Sequence, residues 1–451
     1  MKHLVLTLAL VGAAAGAAVA HGPIRKQLRT TPPPGTVVPL ARPPFPTAAA
    51  AHGAATSGAR SLRALAAEAT AIGLASVTRT ETHDGDRLQL HRLGIERVLR
   101  GRLDDPEPGV VDLGGGVRRA PLLVAGEHVV VLLRAAPRLS YLTQQLPKGQ
   151  YFEPVGGRDG VILVGSEGEL QAVERVLTVI DGLSKLDAVA ARTAQRELAF
   201  DELRSGSPRL VADALAELRE LPELGSLSAP EAGDLRRVLA DPRIDPVVRV
   251  GLIELASEQA GASALPALAS VDTQEPLVLD ALLAARAQLG APASHAELAR
   301  YLASADPSVR SAALRALAAL GDERSIAELG RHATTDADVS VRAAAVEALG
   351  ASHQPAAVPI LARSFDAPER EVKQASGRAL LAVGGPAATD ALVDLALRGP
   401  SSETRSYAAL LLIASRGPDD PAVRRIANSD PSPEVRYLLE HGLEFHETHL
   451  H

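Results

Sequence analysis

The sequence predicts a multidomain chain in which a small N-terminal β-barrel or sandwich precedes a C-terminal all-α solenoid. Three observations point there. A helical motif anchored on valine recurs seven times in the second half, at successive spacings of 30, 31, 32, 31, 32 and 31 residues. Short apolar segments separated by turn signals fill residues 62–165. Only 2% of the 451 residues are aromatic and none is Trp, so the cores must be built from Ala, Leu and Val, which suit closely packed helices. A chain of this length needs more than one core.

The N-terminus reads as an export signal over residues 1–20. Met1-Lys2-His3 is a short basic start, Leu4 to Val19 is apolar and Ala-rich, and Ala18-Val19-Ala20 is a small-x-small cleavage site. No second apolar run of spanning length follows, so no transmembrane segment is expected in the mature chain, which would be periplasmic or extracellular. The chain has no Cys, which excludes disulfides, thiolate metal sites and a lipobox anchor. Removing residues 1–20 takes away Lys2 and moves the formal net charge by one, from −7 to −8. An acidic balance argues against nucleic acid as a partner, because phosphate neutralisation needs a basic excess. Residues 21–61, with Pro32-Pro33-Pro34, Pro43-Pro44 and Pro46, cannot bury a core and read as an extended linker.

From residue 62 to 165 the pattern is that of strands. Ala71 to Val77 is one. After the turn signal Thr82 to Asp86, Leu88, Leu90, Leu93, Ile95 and Val98 continue as a long strand whose alternation slips once, as at a bulge. Val110-Val111, Val129 to Leu133, Tyr151-Phe152 and Gly160 to Val164 supply the rest. The segments Ile95 to Gly101 and Gly126 to Leu132 resemble a β-domain of exported bacterial proteins, which implies an OB-like or netrin-like barrel and no functional residue. Residues 166–198 carry Leu170, Val173, Val176, Leu177 and Ile180 on one helical face and read as a bridge.

Residues 199–440 repeat. The anchors are Val248, Val278, Val309, Val341, Val372, Thr404 and Val435, and a less regular unit begins near Leu210-Val211. In each unit an acidic residue precedes the first helix and is placed to cap it, often with Pro following, as at Pro246, Pro276 and Pro307. The anchor and the residues three, seven and eight later form an apolar face, for example Val309, Ala312, Ala316 and Leu317. Gly261, Gly290, Gly321, Gly350, Gly385 and Gly417 fall where that helix should stop. A shorter second helix follows, such as Ser325 to His332.

The motif D-x-x-V-R-x-x-A-x-x-A-L, best kept at Asp306 to Leu317 and Asp338 to Leu349, resembles the HEAT-like repeat of the phycobilisome-lyase type. The resemblance implies a HEAT-like solenoid whose V-R-x-x-A helices line the concave side. It also implies a structural ladder of Asp245, Arg249, Asp306, Arg310, Asp338 and Arg342, continued by Arg405 and Arg436 and interrupted at Leu279 and Lys373. Some relatives of this type are bilin lyases; no residue here supports that activity.

No Walker loop, nucleophile elbow or dinucleotide fingerprint is present, and no acid/base pair stands out, so no catalytic residue is nominated and no enzyme is expected. The expected function is that of an exported, non-enzymatic scaffold for a protein partner. Its exposed candidates lie six residues past the anchors: Glu254, Arg315, Glu347 and Arg378. The alternative is a metal-handling protein. Residues 441–451 form a His-rich tail in which His441, His446, His449 and His451 would bind Cu or Zn weakly, and His21 would become a chelating N-terminus after cleavage. HETHLH is not H-E-x-x-H, so the zinc-protease reading fails. His83, His91 and His128 read as independent positions of the β-domain. No other cofactor is expected.

Overall fold

The computed structural model describes residues 60–83, 88–112, 122–136, 146, 150–417, 420–433 and 435–437, all within one compact unit. The export signal, nearly all of the linker and the His-rich tail lie outside the described residues.

Ser61 caps α1 (Leu62–Glu68), its Oγ accepting from the Ala64 N–H. β1 (Ala71–His83) and β2 (Leu88–Gly101) form a long antiparallel pair. The alternation predicts one slip; the register shifts three times, with Leu99 and Glu96 extra on β2 and Thr78 extra on β1. Bulges raise local twist, and this ribbon must curl far enough to close a small barrel. β3 (Gly109–Asp112) lies beside β2, β4 (His128–Ala135) returns beside β1, and β5 (Tyr151–Pro154) joins β3 in parallel to β4 in antiparallel. The ring β1-β2-β3-β5-β4 is thereby closed, and β6 (Val161–Leu163) adds to β4.

β4 explains its own unbroken apolar run. Val129, Val131 and Leu133 fill the barrel with Val77, Leu93 and Phe152. Val130 and Leu132 belong instead to the cluster under α1 and α2 (Glu167–Leu183), so the strand is buried on both faces. His91 and His128 pair with Thr80 and Ser76 of β1, four residues or about 13 Å apart, and do not converge.

Helices continue as α3 (Ala188–Arg204), α4 (Pro208–Glu220), α5 (Ala229–Ala240), α6 (Pro246–Leu255), α7 (Leu265–Leu268), α8 (Pro276–Gln288) and α9 (His295–Leu302). Then come α10 (Pro307–Leu320), α11 (Glu323–Thr335), α12 (Val339–Ala351), α13 (Val358–Ser364), α14 (Arg370–Val383), α15 (Gly385–Arg398), α16 (Ser402–Arg416) and α17 (Pro421–Ser429). The first helices of successive units, α4 to α16 by even number, pack in one layer; the odd-numbered second helices lie behind them. All seven anchors are at most 2% exposed. Thr404, the polar one, is satisfied because its hydroxyl donates to Asp366 Oδ1 at 2.8 Å.

Gly261, Gly290, Gly321, Gly385 and Gly417 adopt the left-handed backbone expected of helix stops. Gly350 does not. It lies inside α12, and the chain turns later, at His353 with φ 52°. The reason is packing: a Cβ at Gly350 would stand 2.7 Å from Ala379 Cα, so α12 and α14 touch backbone to backbone.

The barrel is joined to the helices through a buried carboxylate cluster that sequence reading did not find. Glu202 of α3 and Asp213 and Glu217 of α4 are each 1% exposed. Asp213 Oδ1 accepts from Leu62 N at 3.1 Å and sits 2.8 Å from Arg209 Nη1. Arg209 Nη2 donates to the carbonyls of Arg60 and Asp159. Glu217 is held by Arg63 of α1 at 2.9 Å. Glu202 Oε2 and Asp213 Oδ2 are buried with no hydrogen-bond partner among the described residues. Burial, with Asp213 and Glu217 nearby, pushes Glu202 well up; burial, opposed by Arg209, pushes Asp213 up to about 7.

Two predictions follow from these contacts. Gly350→Ala overpacks the α12–α14 contact and lowers stability, whereas Gly233→Ala in α5, where an added Cβ meets nothing within 4 Å, raises it by about 0.5–1 kcal/mol; paired urea titrations read the opposite signs. Asp213 and Glu202 bind protons in the fold that the unfolded chain has released, so their stabilisation is complete below about pH 4 and is lost as pH rises through about 7. Thermal melts should therefore fall from pH 5 to pH 8, and Glu202→Gln should flatten that slope and raise the melting temperature at pH 8.

Candidate interaction surface

The arginine that follows five of the seven anchors is the repeating polar element, and at Arg310, Arg342 and Arg405 it works in two directions. Its Nη1 donates back to the carbonyl six residues earlier: Arg310 to Ser304, Arg342 to Asp336, Arg405 to Gly399 and Arg436 to Asp430. The rest of the guanidinium reaches the next unit. Arg310 binds Asp336 through two hydrogen bonds of 3.0 and 2.8 Å, Arg342 reaches Glu369 at 2.5 Å, and Arg405 holds Asp430 at 2.8 and 3.2 Å.

The residues named for the ladder are therefore divided between two tasks. Asp245, Asp306 and Asp338 cap their own helices by accepting from Val247, Ser308 and Ser340, and the arginines take other carboxylates. Lys373 does not interrupt the ladder, since its Nζ lies 3.2 Å from Glu403. Arg249 is the deviant rung. It is 3% exposed and has no hydrogen-bonded carboxylate among the described residues; its Nη1 reaches the Leu239 carbonyl at 3.5 Å, and burial lowers its pKa.

The four surface candidates are exposed along the first-helix layer. Arg315 of α10 pairs with Asp280 of α8 at 2.8 Å, and Arg378 of α14 with Glu347 of α12 at 2.6 Å. Glu254 stands on α6. Both pairs cross between neighbouring units and neutralise Arg315 and Arg378 on this layer.

The second-helix layer is different, because there the surface opens. A cleft of about 380 Å³ lies between α9 and α11, lined by His295, Leu302, Arg324, Glu328, Arg331 and Asp336 among others. A second, of about 430 Å³, shares Arg331 and runs on to Ile360 and Arg363 of α13. Their floor is a fixed network. His332 is buried; its Nε2 accepts from Arg331 Nη2 at 2.6 Å, so Nδ1 carries the hydrogen it donates to Asp336 at 3.2 Å. Arg331 also donates to Glu328 at 2.5 Å. Burial pushes Asp336 up, but Arg310, the Asp338 N–H and His332 outweigh it and hold the carboxyl at about 2. Asp322 is held at about 2 by His295 and the Ser325 N–H.

Ser325 and Asp322 meet His295, which lines the first cleft, without forming a relay. Both the Ser325 hydroxyl, at 3.5 Å, and Asp322, at 2.9 Å, meet the same His295 nitrogen, Nε2, whereas a nucleophile and an orienting acid must use opposite ring nitrogens. Among the described residues no group of three or more His, Asp or Glu is placed to hold a metal ion. His21, His441, His446, His449 and His451 lie outside the described residues. Among the described residues no helix is long and apolar enough to cross a membrane.

Fold and surface together define a class: a closed β-barrel fronting a helical-repeat array whose exposed clefts lie between second helices. The family model for HEAT repeats matches residues 264–349 and 328–413, so the array from α7 to α16 is built of HEAT repeats. No curated protein matches the chain. Among solved structures, human deoxyhypusine hydroxylase in complex with glycerol is 20% identical over 58% of this chain and 98% of that one, with a TM-score of 0.24.

Removing the carboxylate that ties two units together should be costly. Asp336→Ala leaves Arg310, whose side chain is 14% exposed, without its partner, at a cost of about 3 kcal/mol. Because the fold lowers the Asp336 pKa to about 2, the difference from wild type in thermal melts should be full near neutral pH and shrink as pH falls from about 4 toward 2.

Proposed function

We propose that the protein is an exported, non-enzymatic scaffold that holds a protein partner on its HEAT-repeat array. The observation that carries this reading is the pair of contiguous clefts between α9, α11 and α13, set in a rigid charged floor and open to solvent. Helical repeats stack into long surfaces that present many side chains to one macromolecule. Many polar groups of the array cap helices or tie units together, and the grouping of Ser325, His295 and Asp322 lacks relay geometry. Export rests on the apolar run Leu4 to Val19 and its Ala18-Val19-Ala20 terminus.

The test is residue-specific photocrosslinking in the native host, with the probe at Ala327 in the cleft and, separately, at Arg378 on the opposite layer. A discrete protein adduct at one or both positions is expected, in the exported fraction and on a chain beginning at His21. A full-length chain retained in the cytoplasm overturns export, and absence of an adduct at both positions overturns the scaffold reading.

A further inference from the structure

We infer that the α9–α11–α13 cleft takes an extended acidic segment of a partner protein, with carboxylates three residues apart. This rests on the scaffold reading and adds the chemistry of the partner. The two clefts are lined by four arginines, Arg310, Arg324, Arg331 and Arg363, against two carboxylates, Glu328 and Asp336, in a chain whose formal net charge is −7. Both carboxylates are already engaged: Glu328 by Arg331, and Asp336 by Arg310 and His332. Arg324 and Arg363 are exposed, and neither has a hydrogen-bonded or ion-paired carboxylate among the described residues. The opposite layer differs on this point, since Arg315 and Arg378 are paired there.

Spacing gives the register. Arg324 and Arg331 are seven residues apart on α11, two helical turns, so they share a face about 10.5 Å apart along the axis. An extended chain advances about 3.3 Å per residue, so side chains three positions apart match that interval. Guanidinium forks favour planar carboxylates, and Arg331 is held in place by its bonds to Glu328 and His332. Arg363 on α13 extends the row across the second cleft, beside Ile360, which offers an apolar contact between charged positions. A single-stranded nucleic acid fits less well, because among the described residues no Phe, Tyr or Trp lines either cleft to stack its bases.

The probe is a fluorescein-labelled Glu-Thr-Pro-Glu-Thr-Pro-Glu peptide, with proline to keep it extended, titrated by anisotropy against the full chain at low salt. Saturable binding is expected. It should weaken about tenfold or more for the Gln counterpart and for the double variant Arg324→Glu, Arg363→Glu, and be unchanged for Arg378→Glu. Both cleft substitutions are at exposed positions, and circular dichroism establishes that the double variant is folded. No saturable binding, equal binding by the double variant, or displacement of the peptide by a weaker concentration of single-stranded oligonucleotide would each overturn the inference. The scaffold reading fails separately, in the crosslinking experiment: an adduct at the Arg378 position with no peptide binding keeps the scaffold and discards the acidic segment.

Discussion

A two-helix unit of some thirty residues has two faces to hide and only one partner within itself. The array exists because each unit buries its anchor side chain against the next. From Val248 to Val435 that position is sealed, even where it is threonine, and each sealed anchor removes apolar surface worth about 25 cal/mol per Å². Everything else in the helical region is arranged around that stacking. Ala fills the positions beside the anchor because the first helices must come close, and Gly350 takes this furthest by letting α12 rest on the backbone of α14. The second helices are freed from so tight a contact, and between them the surface opens.

Polar groups follow the same logic. Stacking leaves the loop ahead of each first helix half-buried, with carbonyls that need donors, and the arginine after the anchor supplies them while reaching forward to a carboxylate of the following unit. The barrel joint is the exception. There Glu202, Asp213 and Glu217 are brought together with Arg209 and Arg63 beside them, and burial favours the protonated forms of Glu202 and Asp213. The joint is therefore specified by hydrogen bonds to α1 and not by apolar packing alone.

What could be read in advance divides along the same line. The anchors, the capping Asp residues and most helix stops follow from local pattern, because the 3.6-residue period and N-cap chemistry act within a dozen residues. The barrel strands were readable as alternating segments, but its closure and two of its three bulges depend on pairings across the sheet. Gly350 looked like a stop because it occupies the same place as Gly321, and only contact with Ala379 distinguishes them. Arg310 was identified, its acceptor Asp336 was not, since the motif offers Asp338 two residues later. The acidic joint is not legible in the motif: it draws on residues 62 and 63 from outside the repeats and on residues 202, 209, 213 and 217 from the least regular unit, where the motif is not kept. In the cleft, the one available signal was the pair Arg324 and Arg331, seven apart on a second helix, a place the first-helix motif does not address.

The cations Arg310, Arg342, Lys373 and Arg405, which directly follow anchors, all reach forward along the chain, opposite in sense to the exposed pairs Arg315–Asp280 and Arg378–Glu347. Each takes a carboxylate in the loop at the end of its own unit or at the start of the next. The two ends of such an array are thus chemically unlike. A break between α13 and α14 would leave Arg342 bare on one fragment and Glu369 bare on the other, so the two cut edges would differ in charge. Where such a pair is present, the seam carries a direction as well as an apolar surface.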